Sequence, residues 1–309
     1  MSDITIVTGF FKIKRESWQG FERSDEQYFE HFKGWAKIKN KLIVYVESED
    51  LKERVLNFRK TIGLEDKTIV NVVPNCLDLE PELYEDLVLA TDNHIQQLFR
   101  LRKLNPEVWN STYNYIMLLK SWCVCDAIEK IQATGMVAWI DFGYNHGGYP
   151  IDSSSDFSFE WKYDFPEKMN MFTIQELDDR PIFEIVMSMD TYIMGGVIVG
   201  PSYLWPKFWM LLKSSMQSLI DCGLSDDDQN IMLMAYRKRP EWCQLHSCMW
   251  SCQMKLFGGD HLNWAKGFSP DIPIRNKGIV AMLKNLKHTL CCAKYAFKIF
   301  LHMSKIIIH

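Results

Sequence analysis

An alternation of strand and helix patterns fills the first 75 residues and constrains the fold more than any other feature of this sequence. Strand patterns rich in β-branched residues occur at 3–11, 40–48 and 67–73. Helix patterns separate them, and the first helix begins after Ser24, with Gln27 in the capping-box position. A βαβαβ succession of this length is typical of a parallel half-sheet that binds nucleotides. The sequence therefore predicts an α/β fold with a mixed, mainly parallel sheet flanked by helices.

The rest of the chain continues the same kinds of pattern. The predicted elements are helices over 80–132, 202–223 and 225–240, strands at 137–140, 181–188 and 192–200, and a long loop at 147–170. Ser225 is the expected cap of the last helix. Because no internal repeat or low-complexity linker interrupts these elements, we predict one catalytic-type domain over residues 1–270.

A lone carboxylate, Asp141, directly follows the apolar strand at 137–140, and glycines stand at 143, 147 and 148. In an open α/β sheet, ligands bind at the carboxyl ends of the strands. Asp141 is therefore the first candidate for a binding residue. The alternative is an aspartate that caps the following turn.

Composition limits the class of protein. The chain has 309 residues, of which 47% are hydrophobic, and no apolar run reaches the length of a membrane span. Nine cysteines without C-x-x-C pairs argue for reduced thiols in a cytoplasmic protein. The N-terminus has no basic segment followed by an apolar one, so we expect no signal peptide.

The last part of the chain, 271–309, has a charge opposite to that of the rest. It carries seven positive residues and no acidic residue after Asp271, so that a chain of net charge −4 leaves −11 on the residues up to there. Its lysines recur at helical steps opposite leucine, isoleucine and phenylalanine, which predicts a basic amphipathic helix that binds an anionic membrane surface through 275–309. The alternative is a helix packed on its own domain. The strongly acidic body argues against nucleic acid as a partner.

Four segments together resemble the HtrL/YibB-like family of bacterial surface-polysaccharide loci, over roughly residues 4–265. They are "ITIVTGFF", "YFEHFKGWAKIKNKLIVYVES", "NSTYNYIMLLKSWCVCDAI" and "WIDFGYNHGG". The order of parts also resembles the GT-A glycosyltransferases. In that comparison Asp141 corresponds to the first aspartate of the D-x-D motif, "YIMGGVIVG" to a strand that meets the sugar, and "DDDQNIMLM" to a late helix start.

This resemblance implies a donor site for a nucleotide-diphosphate sugar. Asp141 is expected to orient the phosphates. The other expected donor-binding residues are Thr8, Gly9, Arg23, Lys120, Gly195 and Gly196. Lys120 lies in an apolar helix, where its charge needs a partner of opposite charge. For both Lys120 and Arg23 the alternative is a solvated position on the surface.

The resemblance also implies a divalent metal, Mn²⁺ or Mg²⁺, at Asp141. The second D-x-D position is occupied by Gly143, so that His146 or His246 is the expected further ligand, unless the protein works without metal. The acidic cluster 226–228 opens a helix, where the helix dipole favours carboxylates. An inverting transferase also needs a carboxylate base for the acceptor hydroxyl, and Asp227 or Asp228 is the candidate.

These observations predict a glycosyltransferase that extends a lipid-linked or surface glycan, such as capsule, lipooligosaccharide or O-antigen. The expected location is the inner face of the bacterial inner membrane, as a peripheral protein. Two alternatives stay open at this point. One is a non-catalytic, membrane-docked protein that binds a nucleotide or a glycan, and the other is a nucleotidyltransferase.

Overall fold

A seven-stranded sheet runs through the part of the chain that the computed structural model describes, which comprises residues 4–270, 286, 289, 290, 293, 294 and 296–301. The strands are β1 (Ile4–Phe10), β2 (Leu42–Val46), β3 (Thr68–Val72), β4 (Met136–Ile140), β5 (Met169–Thr173), β6 (Ile193–Pro201) and β7 (Cys243–Ser247). Their order across the sheet is β3-β2-β1-β4-β6-β5-β7.

The sheet is mixed but mainly parallel, as the sequence predicts. The pairs β1–β2, β2–β3, β1–β4 and β5–β7 are parallel, and β6 runs antiparallel to both of its neighbours, β4 and β5. Because β6 is reversed, its amino-terminal half lies at the edge of the sheet where β1 and β4 end. Residues from three neighbouring strands therefore meet at that edge.

The helices cover both faces of the sheet. They are α1 (Asp25–Trp35), α2 (Glu49–Thr61), α3 (Pro81–Asp92), α4 (His94–Phe99), α5 (Pro106–Trp109), α6 (Ser111–Ile131), α7 (Ile182–Ser188), α8 (Trp205–Ile220), α9 (Asp228–Lys238) and α10 (Gln253–Leu256). The predicted capping box of α1 is present, since the Ser24 hydroxyl accepts from the Gln27 backbone N–H and the Gln27 side chain accepts from the Ser24 backbone N–H. Two cap interactions of this kind satisfy N–H groups that the first helical turn leaves unpaired.

Two apolar clusters, one on each face of the sheet, hold the helices in place. Alternate residues of one strand serve different clusters: Ile43 and Tyr45 of β2 face α6, whereas Leu42, Val44 and Val46 belong to the cluster that contains α1 and α2 residues. A strand that is buried on both faces must be apolar at successive positions. This requirement explains why the strand patterns at the start of the sequence are nearly continuous.

The segment 181–188 corrects one prediction, because it forms helix α7 rather than a strand. Its β-branched residues favour extended backbone locally. However, β6 is already paired on both edges, by β4 and β5, so a further strand has no place beside it. Pro181 precedes the helix in an extended conformation, and Met189 ends it in the left-handed region, with a φ of 57°.

Two strands and one helix start also differ from the prediction. β5 begins at the end of the predicted loop 147–170, and β7 lies in a segment for which the sequence predicts no strand. The cap of α9 is Asp227, not Ser225. Ser225 is fully buried, and its hydroxyl shares a hydrogen bond with Thr91.

Most of the predicted basic tail, 271–309, lies outside the described residues. The described positions from 286 to 301 are helical, and most of their large apolar side chains are exposed, among them Leu290 at 62% and Phe297 at 59%. The domain boundary at residue 270 stays a prediction. Among the described helices, none combines the length and the apolar character that crossing a bilayer requires.

Candidate active site

A cleft of about 250 Å³ opens at the edge of the sheet where β1 and β4 end. Its floor is formed by Gly9 at the end of β1, Asp141 after β4, and Gly195 and Gly196 on the reversed strand β6. Helix α6 contributes Lys120 to its wall. The topology thus brings together segments that are separated by almost 190 residues in the chain.

Asp141 is held rigidly by the strands around it. Its backbone N–H donates to the carbonyl oxygen of Gly196 at 2.8 Å, and its Oδ1 accepts from Nε1 of Trp139 at 2.7 Å. Its side chain is 39% exposed, so the carboxylate keeps contact with the cleft. A fixed and partly exposed carboxylate of this kind can orient a ligand.

Lys120 is buried, at 5% exposure, and its ammonium lies between two carboxylates. Nζ is 3.0 Å from Oδ1 of Asp141, 2.7 Å from Oδ2 of Asp228, and donates to the carbonyl oxygen of Gly195 at 3.2 Å. Burial alone lowers the pKa of Lys120, but the charges of Asp141 and Asp228 outweigh it, so the net pKa lies above the usual range. Lys120 is therefore a permanent cation within the site.

Asp228 is the first residue of α9 and also lines the cleft. Burial raises its pKa above the ordinary value of 3.8, Lys120 opposes the rise, and the charge of Asp141 adds to it. A Cβ atom on Gly195 would overlap the carboxylate of Asp228. The absence of a side chain at Gly195 is thus what admits this carboxylate.

Asp227 has a different position from its neighbour. It is the N-cap of α9, its Oδ1 accepts from the Gln229 backbone N–H at 3.1 Å, and it is not among the residues that line the cleft. Burial, together with the charges of Glu107 and Asp228, raises its pKa well above the usual value. Of the two predicted base candidates, the structure brings only Asp228 to the cleft.

The predicted donor residues near β1 also separate into two groups. Gly9 and Arg23 line the cleft, whereas Thr8 is fully buried in the sheet and does not. Thr8 alternates with Gly9 along β1, so its side chain faces away from the cleft floor. The guanidinium of Arg23 lies over the ring of Tyr28, 5.3 Å from its centroid.

Of the two histidines predicted as metal ligands, His146 lines the cleft, but His246 does not. His246 is on β7, three strand positions from β4, which is about 14 Å across a sheet. Its Nε2 is bonded to Oδ1 of Asn170 at 2.9 Å, and its ring packs on Phe172 and Phe257. This distance corrects the prediction that His246 and Asp141 bind the same metal ion.

His146 lies near the charges of Arg23 and His31 as well as near the carboxylate of Asp141. Partial burial, together with the charges of the nearby Arg23 and His31, lowers its pKa to about 4. Its imidazole is therefore neutral at pH 7 and is available for a hydrogen bond. The ring of His31 lies 6.0 Å from it, centroid to centroid.

Mn²⁺ and Mg²⁺ can bind one or two carboxylates together with phosphate oxygens, but the converging carboxylates of this cleft are paired with a lysine. Among the described residues, no three His, Cys, Asp or Glu side chains are placed to hold one ion. Asp141 and Asp228 converge, but on the ammonium of Lys120. At Gly143 an added Cβ would already approach the Tyr28 ring to 3.0 Å, so the second carboxylate of a D-x-D motif has little room there.

Several residues of the cleft escape the sequence prediction. Arg15 lines it, and its Nη1 donates to the Tyr28 hydroxyl at 2.8 Å. Gln253 of α10 lines it as well and is 1% exposed, and its Oε1 has no hydrogen-bond partner among the described residues. Trp139 could have been found, because it stands two positions before Asp141 on the same face of β4. Arg15 and Gln253 carry no such local signal.

The fold and the cleft together define an α/β protein with an ionic site at the carboxyl edge of a mixed sheet. The chain belongs to the HtrL_YibB family, described as a bacterial protein of unknown function, whose sequence profile matches residues 2–259. Protein HtrL of Escherichia coli (strain K12) is 32% identical over 264 residues, which cover 79% of this chain and 88% of that protein. The family resemblance noted in the sequence is thereby confirmed.

One solved structure with a similar fold is a glycosyltransferase involved in the glycosylation of the major capsid of PBCV-1. Its sequence identity with this chain is 10%, and the TM-score is 0.41. The match covers 87% of this chain and 95% of that one.

Proposed function

We propose that this protein is a glycosyltransferase that moves a sugar from a nucleotide-diphosphate donor to a glycan or lipid-linked acceptor. The observation that carries the proposal is the cluster of Asp141, Lys120 and Asp228 at the carboxyl edge of the sheet, in a cleft that Arg15 and Arg23 also line. A cleft with fixed carboxylates and two guanidinium groups suits a ligand that has both hydroxyls and phosphates.

Arg15 and Arg23 are the proposed phosphate contacts. Arg15 is held by hydrogen bonds from Nε to the carbonyl oxygen of Phe21 at 3.0 Å and from Nη1 to the hydroxyl of Tyr28 at 2.8 Å. Arg23 lies over the same tyrosine ring. Guanidinium groups that are already oriented lose little freedom when they bind a diphosphate, and they stabilise its charge as it departs.

Asp141 and Asp228 are the proposed sugar-side carboxylates. In the transfer, the acceptor hydroxyl oxygen bonds to the anomeric carbon. The bond from that carbon to the diphosphate oxygen breaks, and its electron pair stays on the departing diphosphate. The hydroxyl proton needs a base, and Asp228 is the carboxylate of the 226–228 cluster that lines the cleft. Its raised pKa brings its basicity closer to neutral pH, which favours general base catalysis.

The test is a two-part screen of the full chain. Calorimetry with uridine, guanosine and cytidine nucleotides measures binding, and a donor-hydrolysis assay follows release of the diphosphate from nucleotide sugars. We expect a diphosphate to bind and its sugar ester to be hydrolysed slowly. Preference for triphosphates would indicate a nucleotidyltransferase, binding without hydrolysis would indicate a non-catalytic binding protein, and no binding at all would overturn the proposal.

Asp141→Asn provides the matched test of the site. The change removes a charge without changing shape, and we expect donor hydrolysis to fall by about 10²-fold. Asp66→Asn is the control, because Asp66 is exposed at the opposite end of the sheet, before β3. Equal activity of the two variants would remove Asp141 from the mechanism.

We also propose that the basic tail holds the protein on an anionic membrane, at the inner face of the bacterial inner membrane. Leu286, Leu290, Phe297 and Phe300 are exposed, and at 100° per residue they fall within an arc of about 80°. An apolar stripe flanked by lysines suits an anionic lipid surface, where both features contribute to binding. Sequence 272–309 contributes seven positive charges and no negative one.

Vesicle sedimentation tests the membrane proposal. The wild-type chain should sediment with phosphatidylglycerol vesicles and not with phosphatidylcholine vesicles. Phe297→Glu should release it, whereas Leu89→Glu, at a 71% exposed position on α3, should not. Binding that is unaffected by Phe297→Glu would contradict the role of the tail.

A further inference from the structure

We infer that the cation of this site is the ammonium of Lys120, which takes the place between the two carboxylates that a divalent metal would otherwise occupy. The inference rests on the proposed function, in that it names the charge that organises the donor site. It departs from the metal dependence that the resemblance implies.

The first support is the set of oxygen atoms that surround the ammonium. Nζ of Lys120 donates to Oδ2 of Asp141 at 3.3 Å and to the Gly195 carbonyl oxygen at 3.2 Å. It is also 2.7 Å from Oδ2 of Asp228, an ion-pair contact without hydrogen-bond geometry. These oxygen atoms come from three different elements of the fold. An ammonium with oxygen atoms of three elements this close fills the position between the two carboxylates.

The second support is charge balance in a buried place. Lys120 and Asp228 are 5% and 6% exposed as side chains, and two carboxylates that converge there would repel each other without a cation between them. One ammonium compensates part of that charge and leaves Asp141, the more exposed carboxylate, to meet a ligand. A second cation in the same place would be repelled by the first.

The third support is the absence of further metal ligands around the pair. Oδ1 of Asp141 also accepts from the Trp139 indole at 2.7 Å, which uses part of its capacity to accept. The position of a second D-x-D carboxylate is Gly143, which lies against the Tyr28 ring. In the described part of the chain, no third acidic, histidine or cysteine side chain completes a metal site there.

A comparison of Mn²⁺ binding by wild type and Lys120→Met tests the inference without using activity. Electron paramagnetic resonance measures free Mn²⁺ in the presence of each full-chain protein, with no nucleotide added. We expect Lys120→Met to bind Mn²⁺ at least about tenfold more tightly than wild type does, because the two carboxylates of the variant lack a cation. Lys120→Met/Asp228→Asn should lose the gain, and Lys120→Arg should never acquire it.

The wild-type protein supplies a second measurement that does not depend on the folding of any variant. Calorimetry of uridine diphosphate, or of whichever diphosphate the screen identifies, is repeated in EDTA and in Mn²⁺. We expect the two affinities to agree within about threefold, a difference of about 0.6 kcal/mol. Tight Mn²⁺ binding by wild type, or a loss of diphosphate binding in EDTA, would overturn the inference.

The outcomes separate this inference from the proposed function. If no nucleotide diphosphate binds under any condition, the proposed function fails, while the Mn²⁺ comparison still decides whether Lys120 is the cation. If the diphosphate binds only with Mn²⁺, the function stands and the inference fails.

Discussion

Gly195 and Gly196 are neighbours on β6, but they have different surroundings. A Cβ at Gly195 would overlap the carboxylate of Asp228, whereas one at Gly196 would lie 3.7 Å from Oδ2 of Asp141, an ordinary contact. The resemblance to known transferases suggests that both glycines admit the sugar. The structure adds a different requirement for Gly195, which is room for a carboxylate of the protein itself.

The two glycines therefore respond differently to alanine. Gly195→Ala should lower the free energy of unfolding by about 2 kcal/mol and abolish donor hydrolysis, because the new methyl group displaces Asp228. Gly196→Ala is the matched control and should change stability by less than about 0.5 kcal/mol. Urea unfolding and the hydrolysis assay measure both variants, and equal effects would contradict this account of Gly195.

His246 contributes to stability in a way that depends on pH. Burial lowers its pKa below the usual 6.5. The unfolded chain then binds a proton that the folded chain does not, so stability falls as pH decreases from about 6.5 towards the lower folded pKa, and levels off below it.

His246→Gln should reduce this loss of stability. We expect the fall in unfolding free energy between pH 7.5 and pH 5 to be smaller in His246→Gln than in wild type, because the titrating group is gone. His261→Gln, at an exposed position, is the control. Identical pH profiles for wild type and His246→Gln would show that the imidazole does not titrate with unfolding.

At the scale of elements, the three adjacent aspartates at the start of α9 have three different structural roles. Asp226 is buried and paired with Arg100, with Oδ2 2.9 Å from Nη1. Asp227 caps the helix, and Asp228 reaches the cleft. Arg100, which follows α4, also donates to the carbonyl oxygen of Val186 at 2.6 Å and to that of Ser225. It thus ties the helix start to two other parts of the fold.

Removal of Asp226 should therefore lower the free energy of unfolding much more than removal of an acidic residue from an exposed ion pair. Asp226→Ala leaves the Arg100 guanidinium buried without its carboxylate, and we expect a loss of about 3–5 kcal/mol in unfolding free energy. Glu26→Ala breaks the exposed pair with Arg54 and should cost less than about 1 kcal/mol. Chemical denaturation of both variants checks the difference, and similar values would argue that Arg100 does not anchor α9.

At the scale of the whole molecule, the described core ends before the basic tail. Both apolar clusters and the cleft are formed by residues no later than Phe268. Between the tail and the body, Lys298 donates to the carbonyl oxygen of Arg100 at 3.4 Å, a long hydrogen bond. Because both clusters and the cleft are formed by residues before the tail, we expect the body to fold without it.

Deletion of residues 272–309 tests this independence. The truncated chain should unfold cooperatively, with a melting temperature within about 4 °C of wild type, and should retain nucleotide binding. It should no longer sediment with anionic vesicles, because the basic apolar helix is gone. A truncated chain that does not fold would show that the tail is part of the core and that the membrane proposal is wrong.

The sequence alone was sufficient for the elements whose signals are local. The βαβαβ start follows from runs of apolar residues, the α1 cap from Ser24 and Gln27, and the position of Asp141 from the strand before it. Each of these signals lies within one element and depends on the period of the backbone. For the same reason the cleft could be expected at the carboxyl ends of the parallel strands.

Only the tertiary structure decided which of these residues meet. Lys120, Asp141 and Asp228 come from a helix, a strand end and a later helix start, and β6 brings them together by running antiparallel between β4 and β5. His246 occupies a position in the sequence that suits a metal ligand, but it lies on the outermost strand, β7, three strands away from β4. Segment 181–188 has the composition of a strand and forms a helix because no sheet edge is open beside β6. Strand order is set by packing between distant segments, so local sequence patterns do not encode it.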